Sequence, residues 1–276
     1  MKMAWITDIH LNFIDIATRE QFYQEIVDST CNGVLISGDI AEAPSIKGIL
    51  QELSAFIEKP IYFVLGNHDY YRGQVDEVRK EMMALTESNE YLFWLPAFKF
   101  LQLDMNTLLV GQDGWAYGRL GDYHNSRVAL NDSRMIADLF QEKLLGRSQL
   151  LAKMQQLADY DASQLQEQLI QAAIQRPQRI IVLTHIPPFK EACLHEGKIS
   201  NDDFLPFFSS KATGDVLAQI AQDNPGIEFL GLCGHTHSRA YWRPYVNLTM
   251  RAGAAEYGKP EIQDLIDVCS EWRELS

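Results

Sequence analysis

Ile61-Tyr62-Phe63-Val64-Leu65-Gly66-Asn67-His68-Asp69 (residues 61–69) sets an apolar run of five against a glycine and three polar groups. A nearly continuous apolar run of this length is expected of a strand buried on both faces. The polar group follows the carboxyl end of that strand, where open α/β sheets gather their ligands. The same arrangement recurs along the chain. Met3–Thr7 runs into Asp8-Ile9-His10, Gly33–Ser37 into Gly38-Asp39, Arg179–Thr184 into His185, and Ile227–Leu232 leads to Gly234-His235-Thr236-His237.

Helical patterns lie between these strands. Thr18 and Gln21 resemble a capping box ahead of Phe22, Ile26 and Val27. Pro44 suits a first helical turn, after which Ile46, Ile49, Leu50, Leu53 and Ile57 repeat at helical spacing until Pro60. Alternating strands and helices predict an α/β layer architecture. Phe98–Leu103 and Thr107–Val110 flank a hairpin turn at Asp104-Met105-Asn106, and Ala240–Trp242 with Val246–Met250 predicts another. Residues 132–175 are helical in composition, with Asp161 expected to cap a second helix that ends before Pro177. Without an internal repeat or a Pro/Gly/Ser-rich linker, residues 1–276 are expected to form one domain, with a helical insertion at about 130–176.

Composition narrows the function. At 46% hydrophobic and 22% charged residues the chain has the proportions of a soluble globular protein, which excludes a disordered or collagenous one. Its net charge of −13 weighs against binding to nucleic-acid backbones or anionic membranes. The cysteines Cys31, Cys193, Cys233 and Cys269 form no C-x-x-C pair, which fits a reducing compartment. No apolar run approaches the roughly 18 residues of a membrane span. A cytoplasmic, soluble protein is expected.

Five of the seven histidines fall in the segments after the expected strands. Residues two apart on extended backbone face one side, so Asp8 with His10, and His235 with His237, are expected to point into one site. The glycines before Asp39, Asn67 and His235 are expected to permit the turns that aim them. A mixed nitrogen and oxygen set of this size suits two transition-metal ions. Two carboxylates leave such a pair with surplus positive charge, which attracts phosphate and acidifies bound water.

The ordered series D-x-H, G-D, G-N-H-D, H and G-H-x-H, spanning residues 8 to 237, resembles the calcineurin-like metallophosphoesterase superfamily. The resemblance implies a two-sheet β-sandwich flanked by helices, in which the strands after residue 225 join the second sheet. By motif position Asp8, His10 and His237 resemble the ligands of one metal, and Asn67, His185 and His235 those of the other, with Asp39 bridging. His68 matches the residue that contacts phosphate and protonates the leaving oxygen, and Asp69 the residue that orients it. Two divalent or trivalent ions (manganese, iron or zinc) are implied, with a small phosphorylated substrate attacked by metal-bound hydroxide.

Protein phosphatases of this superfamily carry G-D-x-x-D-R-G and G-N-H-E. Here Asp39 is followed by Ile40-Ala41-Glu42-Ala43-Pro44 and the later motif ends in Asp69, so a small-molecule monoester or diester is favoured over a phosphoprotein. The charge disfavours the nuclease alternative. A non-catalytic scaffold is expected to have lost ligand positions, and none is missing here. The glycine-punctuated loop with Trp115, Tyr117 and Arg119, followed by His124 and Arg127, reads either as a substrate wall or as a rigid structural loop. His195 is a further candidate for the substrate side.

Overall fold

The computed structural model describes residues 1–195, 197–270 and 272. Strands β1 (Lys2–Ile6), β2 (Gly33–Ser37), β3 (Ile61–Val64) and β4 (Leu92–Trp94) alternate with helices α1 (Ile16–Asp28), α2 (Ala43–Ile57) and α3 (Val75–Ser88). Next come β5 (Leu101–Gln102), β6 (Thr107–Gly111) and three helices, α4 (Asp132–Met135), α5 (Ala137–Leu145) and α6 (Arg147–Ile174). The remainder comprises β7 (Arg179–Leu183), β8 (Leu194–His195), β9 (Lys198–Ile199), α7 (Leu205–Phe208), α8 (Lys211–Asp223), β10 (Glu228–Cys233), β11 (Ala240–Tyr245), β12 (Leu248–Ala252) and β13 (Asp264–Asp267).

Among the described residues, one five-stranded sheet has the order β13-β1-β2-β3-β4 and a six-stranded sheet the order β11-β12-β10-β7-β6-β5. The strands after residue 225 join the second sheet as expected, except that β13 returns to the first and pairs antiparallel with β1. The period of two decides what each sheet buries. Met3 and Trp5 of β1, Leu35 of β2, Ile181 and Leu183 of β7, and Leu230 and Leu232 of β10 meet between the sheets. Their neighbours Ala4, Ile6, Val34 and Ile36 face α1, α2 and α3, whereas Ile180, Val182 and Phe229 face α6 and α8. Both faces of each sheet are therefore covered, and this is why the central strands read as unbroken apolar runs.

Two helix boundaries differ from the sequence expectation. Helix α1 begins at Ile16, ahead of the position the Thr18–Gln21 box implies, because Asp15 is the cap and accepts from the Thr18 backbone N–H at 2.8 Å. Asp161 caps nothing: it lies inside α6, a single 28-residue helix. Its carboxylate is taken by Arg79 Nη2, at 2.7 and 2.9 Å, and by the Gly114 N–H at 3.0 Å. A side chain engaged this way no longer competes with its own helix backbone.

Arg79 also approaches Asp113 at 3.5 Å and donates to the Tyr70 hydroxyl at 3.1 Å. It thus ties α3 to α6 and to the loop after β6, with both carboxylates nearly fully buried. Arg79→Met leaves Asp113 and Asp161 without their buried counter-charge and is expected to cost roughly 3–5 kcal/mol. Urea unfolding of the variant beside the native chain measures this, and a loss under about 1 kcal/mol contradicts the role of the pair.

Candidate metal centre

The loops after β1, β2, β3, β7 and β10 all leave the carboxyl ends of parallel strands, so their side chains meet at one edge of the sandwich. Backbone bonds hold the first two loops together: the Asp8, His10 and Leu11 N–H groups donate to the carbonyls of Gly38, Asp39 and Ile40 at 2.8–3.0 Å. Asp8, His10, Asp39, His235 and His237 all adopt left-handed backbone, with φ between 41° and 71°. Asp8 and His10 therefore converge through a tight, strained turn, not through an extended segment with same-side neighbours. Such conformations cost about 1–3 kcal/mol each and persist only where surrounding structure enforces them.

Enforcement comes partly from the glycines. Gly38 has φ +94°, a conformation suited to glycine. At Gly66 and Gly234 the requirement is close approach and not a turn: an added Cβ would lie 2.2 Å from Asp39 Oδ1 and 2.0 Å from Asp8 Oδ2, respectively.

The residues form two adjoining clusters. In one, Asp8, His10, Asp39 and His237 bring one ligand atom each within 4.8 Å of the others. His237 Nε2 lies 3.4 Å from both Asp8 Oδ1 and His10 Nε2, and His10 Nε2 lies 3.8 Å from Asp39 Oδ2. In the other, Asn67 Oδ1 lies 2.9 Å from His235 Nδ1 and 3.1 Å from His185 Nε2, which in turn is 3.4 Å from Asp39 Oδ1. Asp39 touches both groups.

Outer contacts fix which atoms face inward. His185 Nδ1 lies 2.9 Å from the Ser37 carbonyl and His235 Nε2 lies 3.0 Å from the Phe207 carbonyl, so each of these nitrogens carries the proton and donates it outward. The Asn67 amide nitrogen donates to Asp132 Oδ1 at 2.9 Å, which turns its oxygen to the histidines. With His185 neutral, as a bound cation would require, acceptor atoms of Asn67, His185, His235 and Asp39 face one another without a donor between them. This donor set fits a cation.

The electrostatics agree. Asp8 and Asp39 are buried together. Burial alone would raise both carboxyl groups, yet the His237 bond and the charge of His185 hold Asp8 below its ordinary range. Asp39 lies well below it, through the nearby His185, His68 and His10. Burial also opposes charge on His185, but Asp39 and Asp8 push it up to about 10. Burial instead brings His10 to about 4, and burial with the His185 charge does the same to His235. Without a cation, the two ionised carboxylates favour a proton on His185, whose Nε2 then donates inward in the place a metal would take.

Asp69 does not orient His68. Its Oδ1 accepts from the Ile40 and Ala41 N–H groups, both at 2.8 Å, and its Oδ2 from the Gly66 N–H at 2.7 Å. The carboxylate bonds backbone through both oxygens and clamps the Asp39 and Asn67 loops together. His68 is placed by its own N–H, which donates to Asp39 Oδ1 at 2.9 Å, and by rings: Tyr71 stacks on it at 4.2 Å and His10 meets it edge-on at 4.6 Å.

His68, Asn67, Asp39, His235 and His237 open on a cavity of about 500 Å³, which His195 also lines. The other substrate-side candidates sit elsewhere. Arg119 turns to Asp159 of α6 at 3.3 Å and packs over Tyr117 at 3.8 Å, and the Tyr117 hydroxyl donates to the same Asp159 at 2.6 Å. His124 packs edge-on against Tyr123, and neither it nor the exposed Arg127 lines the cavity. Of the two readings the sequence left open, Arg119 and Tyr117 fit the structural loop, because Asp159 of α6 takes both. Trp115 is buried against Tyr70 and lines a neighbouring apolar cavity.

Tyr71, Asp132 and Tyr257 complete the site and were not expected from the sequence. Asp132 accepts from Asn67 and from the Tyr71 hydroxyl (2.7 Å), and Tyr257 covers His10 with ring centres 4.5 Å apart. Only Tyr71 carried a signal, since it closely follows the G-N-H-D segment.

The family model described as calcineurin-like phosphoesterase matches residues 1–239. No sequence match to a curated protein was found. Among solved structures, the phosphopantetheinyl hydrolase of Mycobacterium tuberculosis is similar in fold (TM-score 0.60), with 13% identity, 93% of this chain and 89% of that one covered. A dimetal phosphatase from Danio rerio has a TM-score of 0.55 at 13% identity, covering 92% and 87%. The protein TT1561 of Thermus thermophilus has a TM-score of 0.52 at 12% identity, covering 92% and 88%. Among the described residues no helix is long and apolar enough to cross a membrane. With the family model matched over most of its length and two helix-flanked sheets carrying the paired clusters, the chain belongs to the calcineurin-like phosphoesterase family.

Proposed function

We propose that the chain is a phosphoesterase that uses two transition-metal ions to hydrolyse a small-molecule phosphate monoester or diester. The observation that carries this reading is the convergence of acceptor atoms from Asn67, His185, His235 and Asp39, with Asp8, His10 and His237 on the other side of the same aspartate. Asp8, His10 and His237 would hold one ion, Asn67, His185 and His235 the other, and Asp39 both. Manganese, iron and zinc all suit such ligands. Ions bound there supply Lewis acidity toward phosphoryl oxygens and acidify water enough to make it a nucleophile near neutral pH.

The protein's own part is to hold and shape. Ser37 and Phe207 carbonyls fix the tautomers of His185 and His235, and Asp132 fixes the Asn67 amide. Asp69 clamps the two loops that carry Asp39 and Asn67. His68, on the cavity wall beside Asp39, would give a ring proton to the departing ester oxygen. A small substrate is favoured because no lysine or arginine lines this cavity among the described residues. A nucleic acid would need cations to track its backbone. The net charge of −13 points the same way, and a reducing intracellular compartment remains the expected setting.

Asp39→Asn and His235→Ala are each expected to lower both bound metal and turnover of an aryl phosphate, by roughly 100-fold or more in rate. Elemental analysis beside a chromogenic assay, with manganese, iron and zinc offered in turn, measures the two together. Undiminished activity in the presence of chelator contradicts the reading.

His68→Ala separates proton transfer from ligation. It is expected to reduce kcat by about 10²- to 10⁴-fold while leaving metal content unchanged. The effect should be larger for an alkyl ester than for an aryl ester, because the more basic leaving oxygen needs the proton more. Equal losses on both esters contradict the acid role.

A further inference from the structure

Beside the metal centre lies a second, apolar cavity of about 280 Å³, bounded by α5, α6 and the segment 123–130. It shares Asn67, Leu130 and Asp132 with the first, and Phe207, whose carbonyl holds His235, forms part of its wall. Trp115, Leu139, Leu150, Met154 and Ile186 supply much of the lining. Its charged groups are committed to the protein itself. Lys143 donates to the Ser133 hydroxyl at 3.2 Å, and Arg147 donates to the Tyr123 and Ser126 carbonyls and packs over the Tyr123 ring. Asp132 accepts from Asn67 and Tyr71. What such a cavity offers an occupant is therefore apolar surface beside a candidate metal ligand.

We propose that this cavity receives the alcohol portion of the substrate, and that this portion is apolar. The inference rests on the phosphoesterase reading above and names its substrate class: a phosphate ester of a hydrophobic alcohol, alkyl or aryl. Size follows from volume. A cavity of about 150 Å³ accommodates benzene, so this one has room for roughly twice as much, on the order of ten carbons. Asn67, Leu130 and Asp132 line both cavities, so an ester whose phosphate occupies the metal cavity would pass these side chains to place the far part of a longer alcohol in the apolar one. The insertion α5–α6 thereby gains a role as the specificity element.

Ethyl and octyl phosphate test this, because their leaving alcohols are equally basic and differ only in apolar length. With the metal-loaded native protein, kcat/KM for octyl phosphate is expected to exceed that for ethyl phosphate by about tenfold or more. Leu150→Trp, which fills the cavity from α6, is expected to abolish the preference while leaving ethyl phosphate within about twofold; Leu139→Phe from α5 serves if the first variant does not fold. Equal kcat/KM for the two esters overturns the proposal, as does a preference that survives a folded filling variant. If neither ester is hydrolysed, the monoesterase form of the reading above is what fails. Calorimetric binding of octylphosphonate and ethylphosphonate then decides the cavity separately: tighter octylphosphonate binding that the filling variant removes supports it, and equal binding of the two overturns it.

Discussion

Two carboxylates, Asp8 and Asp39, lie buried side by side at the end of a sandwich, and their mutual repulsion is what the surrounding structure is built to withstand. Like charges in a low-dielectric interior persist only with compensation close by. The compensation is layered. Backbone N–H groups of His235 and His68 donate to the two carboxylates at 2.9 Å, and the charge on His185 follows from the pair. The left-handed turns at five candidate ligands and the glycines pressed against Asp8 and Asp39 are the geometric conditions for bringing these groups so close. A metal site of this kind concentrates strain and charge locally, and the rest of the fold must hold it.

The two-sheet architecture does this by burying each central strand on both faces. Loops that leave five parallel strands inherit rigidity from the layers beneath them, so small changes in strand packing would move ligands by fractions of an ångström. The Arg79 network extends the same support sideways. Tyr70, two residues after His68, donates to Asp113, which also accepts from the Leu65 N–H and Trp94 indole. Strand end, helix α3 and helix α6 are thereby locked together under the site.

The central strands and the motif loops were legible in the sequence because apolar runs and metal-ligand residue types are local signals. Asp8, His10, Asp39, Asn67, His185, His235 and His237 converge where that pattern placed them, but the reason differed: left-handed backbone, not strand alternation, aims Asp8 and His10. Other features depend on contacts between distant segments, and no local pattern reports these. Asp161 resembles a cap until Arg79, 82 positions away, claims it. Arg119 fits a substrate wall or a structural loop equally well until α6 presents Asp159. The motif resemblance pairs Asp69 with His68, whereas its carboxylate bonds the backbone of another loop. Tyr257 reaches His10 from beyond the last motif altogether.

Anomalous diffraction from crystals grown with manganese bears most directly on the claim that these side chains form one paired metal centre. The account predicts two peaks in a single pocket, one ringed by Asp8, His10 and His237, the other by Asn67, His185 and His235, with Asp39 reaching both. A single peak that leaves the Asn67 cluster bare, or peaks only at surface carboxylates, would contradict it.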